Sequence, residues 1–168
     1  MRKTVFFTSL VILVSGCASM DPQTRNEYRT AVDGGRPFTM KDSFVAKRGF
    51  DEVVKTLRQK SDECFNVNIK TTRKQDGMTT MATTDEVRTV VRVINSKHAE
   101  LTMQTNPKGI IMLNKVPAGG FYRMAIDIDR LTAGSTRLTY YGPSTDHGKR
   151  RLAVIKQWSD GKQVGCLS

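Results

Sequence analysis

Two carboxylates stand two residues apart in the stretch Ala125-Ile126-Asp127-Ile128-Asp129-Arg130. On a strand, that spacing puts Asp127 and Asp129 on one face and Ile126 and Ile128 on the other. Carboxylates so placed could bind a cation or share a proton as an acid/base pair. Residues i and i+2 sit side by side without facing a common cleft, however. The spacing therefore favours a plainer reading, the solvent face of an amphipathic strand with Arg130 nearby. Imidazole chemistry is sparsely supplied: His98 and His147 are the two histidines. Neither belongs to a metal-ligand spacing such as H-x-x-x-H. The sequence has no G-x-S-x-G elbow, Walker loop or Rossmann glycine pattern. It gives no reason to expect a catalytic residue, a metal or a cofactor.

A second constellation is basic. Lys149, Arg150, Arg151 and Lys156 fall in the last helical stretch, with Lys149 and Lys156 seven apart on one flank and Asp160 partly offsetting them. They read either as a patch for phosphates or an acidic partner, or as an ordinary solvated helix face. Trp158, in the same stretch, reads as core. Gly119-Gly120 in "VPAGGFY" reads as a mobile loop or as a strand entry.

The three cysteines are Cys17, Cys64 and Cys166. Cys17 follows a basic start, Met-Arg-Lys, and an apolar run of 11 residues from Thr4 to Val14. A spanning helix needs roughly 20 residues, so this is the anatomy of a secretory signal peptide. Val14-Ser15-Gly16-Cys17 resembles the lipobox of bacterial lipoprotein precursors: an aliphatic residue, two small residues and a cysteine. The resemblance covers the first 19 or so residues. It implies removal of residues 1–16 and a mature Cys17 carrying a thioether-linked diacylglycerol and an amide-linked acyl chain such as palmitate. Two or more chains give stable anchoring where one gives only marginal binding. Ala18 and Ser19 after the cysteine, in place of an aspartate, imply the outer membrane of a Gram-negative cell, with the domain facing the periplasm.

Processing leaves 152 residues, a normal size for one domain, and lowers the formal charge from +11 to +9. Such a surface is drawn to lipid headgroups, lipopolysaccharide phosphates or acidic protein patches, or is simply well solvated. An exported, tethered protein seldom meets nucleic acid. In an oxidising envelope, the isolated pair Cys64 and Cys166 is most simply a disulfide. A redox pair would favour C-x-x-C spacing, which is absent. With Cys17 lipidated and the pair oxidised, no thiol nucleophile remains.

The elements that must position these residues follow from periodicity. Residues 17–37 are polar and contain Pro22, Gly34, Gly35 and Pro37, so they read as a tether with one or two helical turns around Arg25–Val32. Its 20 or so residues would span roughly 25 Å. The domain is expected over 38–168. "FTMKDSFVAKR" suits a first strand. Phe50, Val53, Val54 and Leu57 then recur at helical spacing, with Cys64 seven beyond Leu57 on the buried side. A β-rich region follows: "FNVNIKTTRK", an Asp-Gly turn, "MTTMATT", "EVRTVVRVIN", "HAELTMQT", an Asn-Pro-Lys-Gly turn, "IIMLNK", "GGFYRMAIDIDRL" and "STRLTYYG". A final helix is expected from about Asp146 to Asp160, stopped by Gly161.

This order predicts an α+β domain, an antiparallel sheet of five to seven strands with two helices packed on one face. Over residues 38–168 it resembles helix-grip folds, in which a curved sheet wraps a long terminal helix and can enclose an apolar cavity. Such a module occurs in a lipoprotein of the outer-membrane assembly machine; no motif accompanies the likeness. The expected function, in order of preference, is a non-enzymatic docking or accessory module of an envelope assembly or secretion apparatus, then a carrier of an apolar small molecule or lipid. An enzyme comes third.

Overall fold

The computed structural model describes residues 21–74, 80–108 and 116–167. The signal peptide, Cys17, the Asp-Gly turn and the strand expected at "IIMLNK" lie outside the described residues. The elements run α1 (Arg25–Asp33), β1 (Thr39–Ala46), α2 (Phe50–Cys64), β2 (Val67–Lys74), β3 (Thr80–Asn95), β4 (His98–Lys108), β5 (Phe121–Thr132), β6 (Ser135–Pro143) and α3 (Asp146–Ser159). Six antiparallel strands form one sheet in the order β1-β6-β5-β4-β3-β2. The α+β class is as the sequence predicts. From Thr80 onward, "MTTMATT" joins "EVRTVVRVIN" in the single strand β3, and β4 runs through Asn106 and Pro107 to Lys108 where a turn was expected.

Alternation decides the layers. The odd residues Ala99, Leu101 and Met103 of β4 point to one face with Met124, Ile126 and Ile128 of β5 and Leu138 and Tyr140 of β6. Against them α2 lays Phe50, Val53, Val54 and Leu57, and α3 lays Leu152, Ile155 and Trp158. The sheet thus grips two helices rather than one long terminal helix. Thr145 caps α3 by accepting from the Gly148 amide at 3.3 Å, and Gly161, at φ +83°, ends the last turn. Cys64 and Cys166 are joined, with Cα atoms 5.1 Å apart, so the C-terminal segment is stapled to the end of α2.

The opposite face is where the structure departs from expectation. Within the tether expected over 17–37, the helical turns expected around Arg25–Val32 form a helix, Arg25–Asp33, that lies on the sheet instead of standing free of it. Thr24 Oγ1 accepts from the Glu27 amide at 3.2 Å, and the Glu27 carboxylate accepts from the Gln23 amide at 2.8 Å, a close variant of the capping box. Tyr28 and Val32 pack on Ala125 and Tyr141, with Tyr122 stacked on Tyr28 at 6.1 Å. With two or three apolar side chains in nine residues, the segment lacks the apolar stripe that marks a docking helix. Its polar residues hold it down instead.

Candidate functional site

Glu100 and Asp127 stand directly opposite each other on β4 and β5, and Asp129 stands opposite His98. All four side chains point to the α1 side of the sheet. Two neighbouring carboxylates repel unless a cation intervenes, and α1 supplies two. Arg25 donates from Nη1 to Glu100 at 3.0 Å and from Nη2 to Asp127 and to the Ile126 carbonyl. Arg29 reaches the other Asp127 oxygen at 2.7 Å, hydrogen-bonds the Tyr141 hydroxyl at 3.3 Å and lies over the Tyr141 ring. Asp127 is thus buried between two guanidinium groups. The carboxylates share a face as the solvent-face reading expects, but a helix covers Asp127, so that reading fails for this residue. Asp129, half-buried, bonds His98 Nδ1 at 2.7 Å.

His98, Glu100 and Asp127 bring three potential ligand atoms within 4.8 Å of one another. Arg25 already occupies the place a cation would take, bridging Glu100 and Asp127. The chemistry of this constellation is charge matching. It latches α1 to the sheet and leaves no carboxylate oxygen pair facing a cleft. Arg25 and Arg29 are the residues that sequence reasoning missed. The available signal was their one-turn spacing in a capped helix, which places two cations on one helix face.

The basic residues expected as a patch are distributed differently. Lys156 pairs with Asp42 of β1 at 2.7 Å and lies over Phe44. Arg151 lies over Phe65 and donates to His147 Nε2 at 2.9 Å. Burial and the neighbouring Arg151 and Arg150 hold the His147 ring below its ordinary pKa, which suits it to accept that bond. Lys149 and Arg150 are exposed near the start of α3. Trp158 is core, donating from Nε1 to the Val164 carbonyl at 3.0 Å. Gly120 is a strand entry: at φ +103° it sits where a Cβ would meet the Thr105 carbonyl at 2.4 Å. Gln104 fixes that corner by donating to the Ala118 and Gly120 carbonyls.

An apolar ligand carried between sheet and helices needs open space there. Trp158, Phe50, Leu57, Leu101 and Ile155 fill that layer, each at most 1% exposed. Clefts beside α2 are lined chiefly by charged and polar groups, including Lys47, Arg48, Glu52 and Arg130 in one and Lys55, Arg58 and Asp62 in the other.

An unpaired edge is the more informative surface. β2 pairs with β3 only from Thr80 to Val87. Along Arg88–Asn95, no described strand lies on the outer side of β3. Two side chains cap that edge: Asn66 accepts from the Thr89 amide at 2.6 Å, and Arg58 reaches the Val91 carbonyl at 3.4 Å. Along the same edge, Val90, Val93 and Ile94 are 59%, 47% and 45% exposed. Val90 lies on the α1 side of the sheet, and Val93 on the α2 side.

No family model and no curated protein matches the chain. Among solved structures, the chain is similar to the hypothetical protein jhp0584 from Helicobacter pylori at 13% identity, covering 79% of this chain and 90% of that one with a TM-score of 0.41. It is also similar to protein CV1439 from Chromobacterium violaceum at 10% identity, covering 75% of this chain and 94% of that one with a TM-score of 0.36. Likenesses of this strength speak to neither ligand nor partner.

Proposed function

We propose that the mature chain is a lipid-anchored envelope protein, held at the outer membrane through Cys17, whose domain docks another envelope protein without catalysing a reaction. The observation that carries the docking reading is the β3 edge. A strand edge capped by side chains only at the Thr89 amide and the Val91 carbonyl among the described residues, with apolar residues on both faces, is a template for an added strand. Soluble sheets commonly blunt such edges with charge; here the described charges along the edge are Arg88, Arg92 and the capping Arg58, beside the exposed Val90, Val93 and Ile94. The occupant this geometry fits is an extended segment of a partner, its backbone pairing with β3 and its side chains meeting the valines. The anchor rests on the lipobox.

The test is photocrosslinking in intact cells from positions Val90 and Ile94, with Lys55 on α2 as control. One envelope protein captured from both edge positions and not from Lys55 supports the reading. Lys at position 90 or 94 (Val90→Lys, Ile94→Lys) should abolish that product at unchanged melting temperature. Absence of any protein product from the edge positions overturns docking. For the anchor, Cys17→Ala should abolish acyl labelling and release the domain from the membrane fraction; unchanged labelling refutes it.

A further inference from the structure

Beside the β3 edge stand two arginines that no acid among the described residues neutralises. Arg92 is exposed on the α1 side of the sheet. Glu100, directly across from it on β4, is taken by Arg25 at 3.0 Å and lies 3.6 Å from His98. Arg58 is exposed on α2, where its Nη2 donates to the Val91 carbonyl at 3.4 Å. Asp62, one turn along that helix, accepts from Asn66 instead, and Asp51 pairs with Arg130. Arg88 differs from both, because Glu86 holds it at 2.8 Å. The edge thus carries one unmatched cation toward each face of the sheet, Arg92 on the α1 side and Arg58 on the α2 side.

The backbone shows where a strand would bond. Asn66 takes the Thr89 amide and Arg58 the Val91 carbonyl, so these two residues turn their peptide groups outward. In an antiparallel ladder the N–H and C=O of a residue point the same way, and the direction alternates along the strand. Val93 therefore faces outward as well, while Val90 and Arg92 face their partners Thr102 and Glu100 on β4. Left for an incoming strand are the Thr89 carbonyl, the Val91 amide and both groups of Val93.

Side chains then set the sequence of that strand. Residues opposite each other share a face, and neighbours along a strand take opposite faces. A residue opposite Val90 or Val93 meets an exposed valine. Between these two, the residue opposite Val91 turns to the α2 side and Arg58, and the residue opposite Arg92 turns to the α1 side. We infer that the segment docking on β3 carries two adjacent carboxylates flanked by apolar residues, one acid pairing with Arg58 and the other with Arg92. This rests on the strand-addition reading proposed above. A second copy of the chain is the wrong occupant, since its edge would set Arg58, Arg88 and Arg92 against like charges.

The test uses the full chain in detergent and fluorescent peptides as long as Arg88–Asn95, built around Val-Glu-Glu-Val, Val-Gln-Gln-Val or Val-Lys-Lys-Val. Anisotropy reads the affinity, and amide exchange reads the place of binding. The glutamate peptide should bind about five-fold tighter than its glutamine counterpart at low salt, the worth of two exposed ion pairs. Half-molar salt should bring the two together. Exchange should slow at the Val91 and Val93 amides and stay unchanged at Val90 and Arg92. Arg92→Glu should abolish the preference at unchanged melting temperature. Slowed Val91 and Val93 amides under a glutamine or lysine peptide that binds as tightly overturn the acidic sequence and leave strand addition standing. If none of the three peptides slows those amides, strand addition falls and the inference with it. A preference that survives Arg92→Glu overturns the assigned contacts. Protection of both amides that grows with protein concentration alone overturns the occupant in favour of a second copy.

Discussion

Tyr28 shows at the scale of one residue how the α1 face is built. Its ring packs on Tyr122, and its hydroxyl donates to the Arg123 carbonyl at 2.9 Å. Burial pushes its pKa up to about 12, against the opposing pull of Arg36, Arg123 and Arg151. An unfolded tyrosine ionises near 10. The raised folded value means that Tyr28 contributes stability fully present below about pH 10 and lost as pH climbs toward 12. Urea midpoints across that window should therefore fall, and Tyr28→Phe should make the fall shallower while costing about 1 kcal/mol at neutral pH for the hydrogen bond. Identical alkaline slopes in the two proteins would show that Tyr28 ionises freely in the folded state.

Among elements, α1 is held to the sheet by Asp127, which takes both Arg25 and Arg29, together with Glu100 and the packing of Tyr28 and Val32. Arg25 and Asp127 are both more than nine-tenths buried, and removing one partner strands the other's charge. Asp127→Ala should cost about 3 kcal/mol by that mechanism, read from urea unfolding. Amide exchange should rise across Arg25–Asp33 more than in α2. A loss below about 1 kcal/mol with α1 still protected would mean that Tyr28 and Val32 hold the helix without the latch. The alternation Ile126/Asp127/Ile128/Asp129 was readable as two faces from the sequence. Nothing in that stretch tells whether water or a helix covers the acidic one, since the covering residues lie about a hundred positions away. The basic residues of α3 illustrate the same point. Their spacing places Lys149 and Lys156 on one flank, but Asp42 of β1 neutralises Lys156, and only the fold brings β1 there.

For the whole molecule, the disulfide closes a loop of 102 residues between the end of α2 and the C-terminal segment. A loop of that length is worth roughly 4–5 kcal/mol in the chain-entropy model. Replacing both cysteines (Cys64→Ser with Cys166→Ser) should lower the unfolding free energy by about that amount without changing the fold. A loss under about 1 kcal/mol, or free thiols at both positions in non-reducing mass spectrometry, would refute the staple.

The sequence by itself determined the local and periodic features. Period-two and period-3.6 patterns depend on neighbouring residues, so β1, α2, β4, β5, β6 and α3 were legible within a few positions, as was the α+β class. The anchoring role proposed for Cys17 rests on a resemblance alone, since a lipobox is a contiguous signal in the sequence. Tertiary structure decided what lies across from what. It turned half of a supposed tether into a docked helix and buried Asp127 between Arg25 and Arg29. It also divided a basic run into paired and exposed halves and left the outer side of β3 without a described strand past Val87. Each of these is a contact between residues far apart in the chain, and only packing puts such residues within reach of one another.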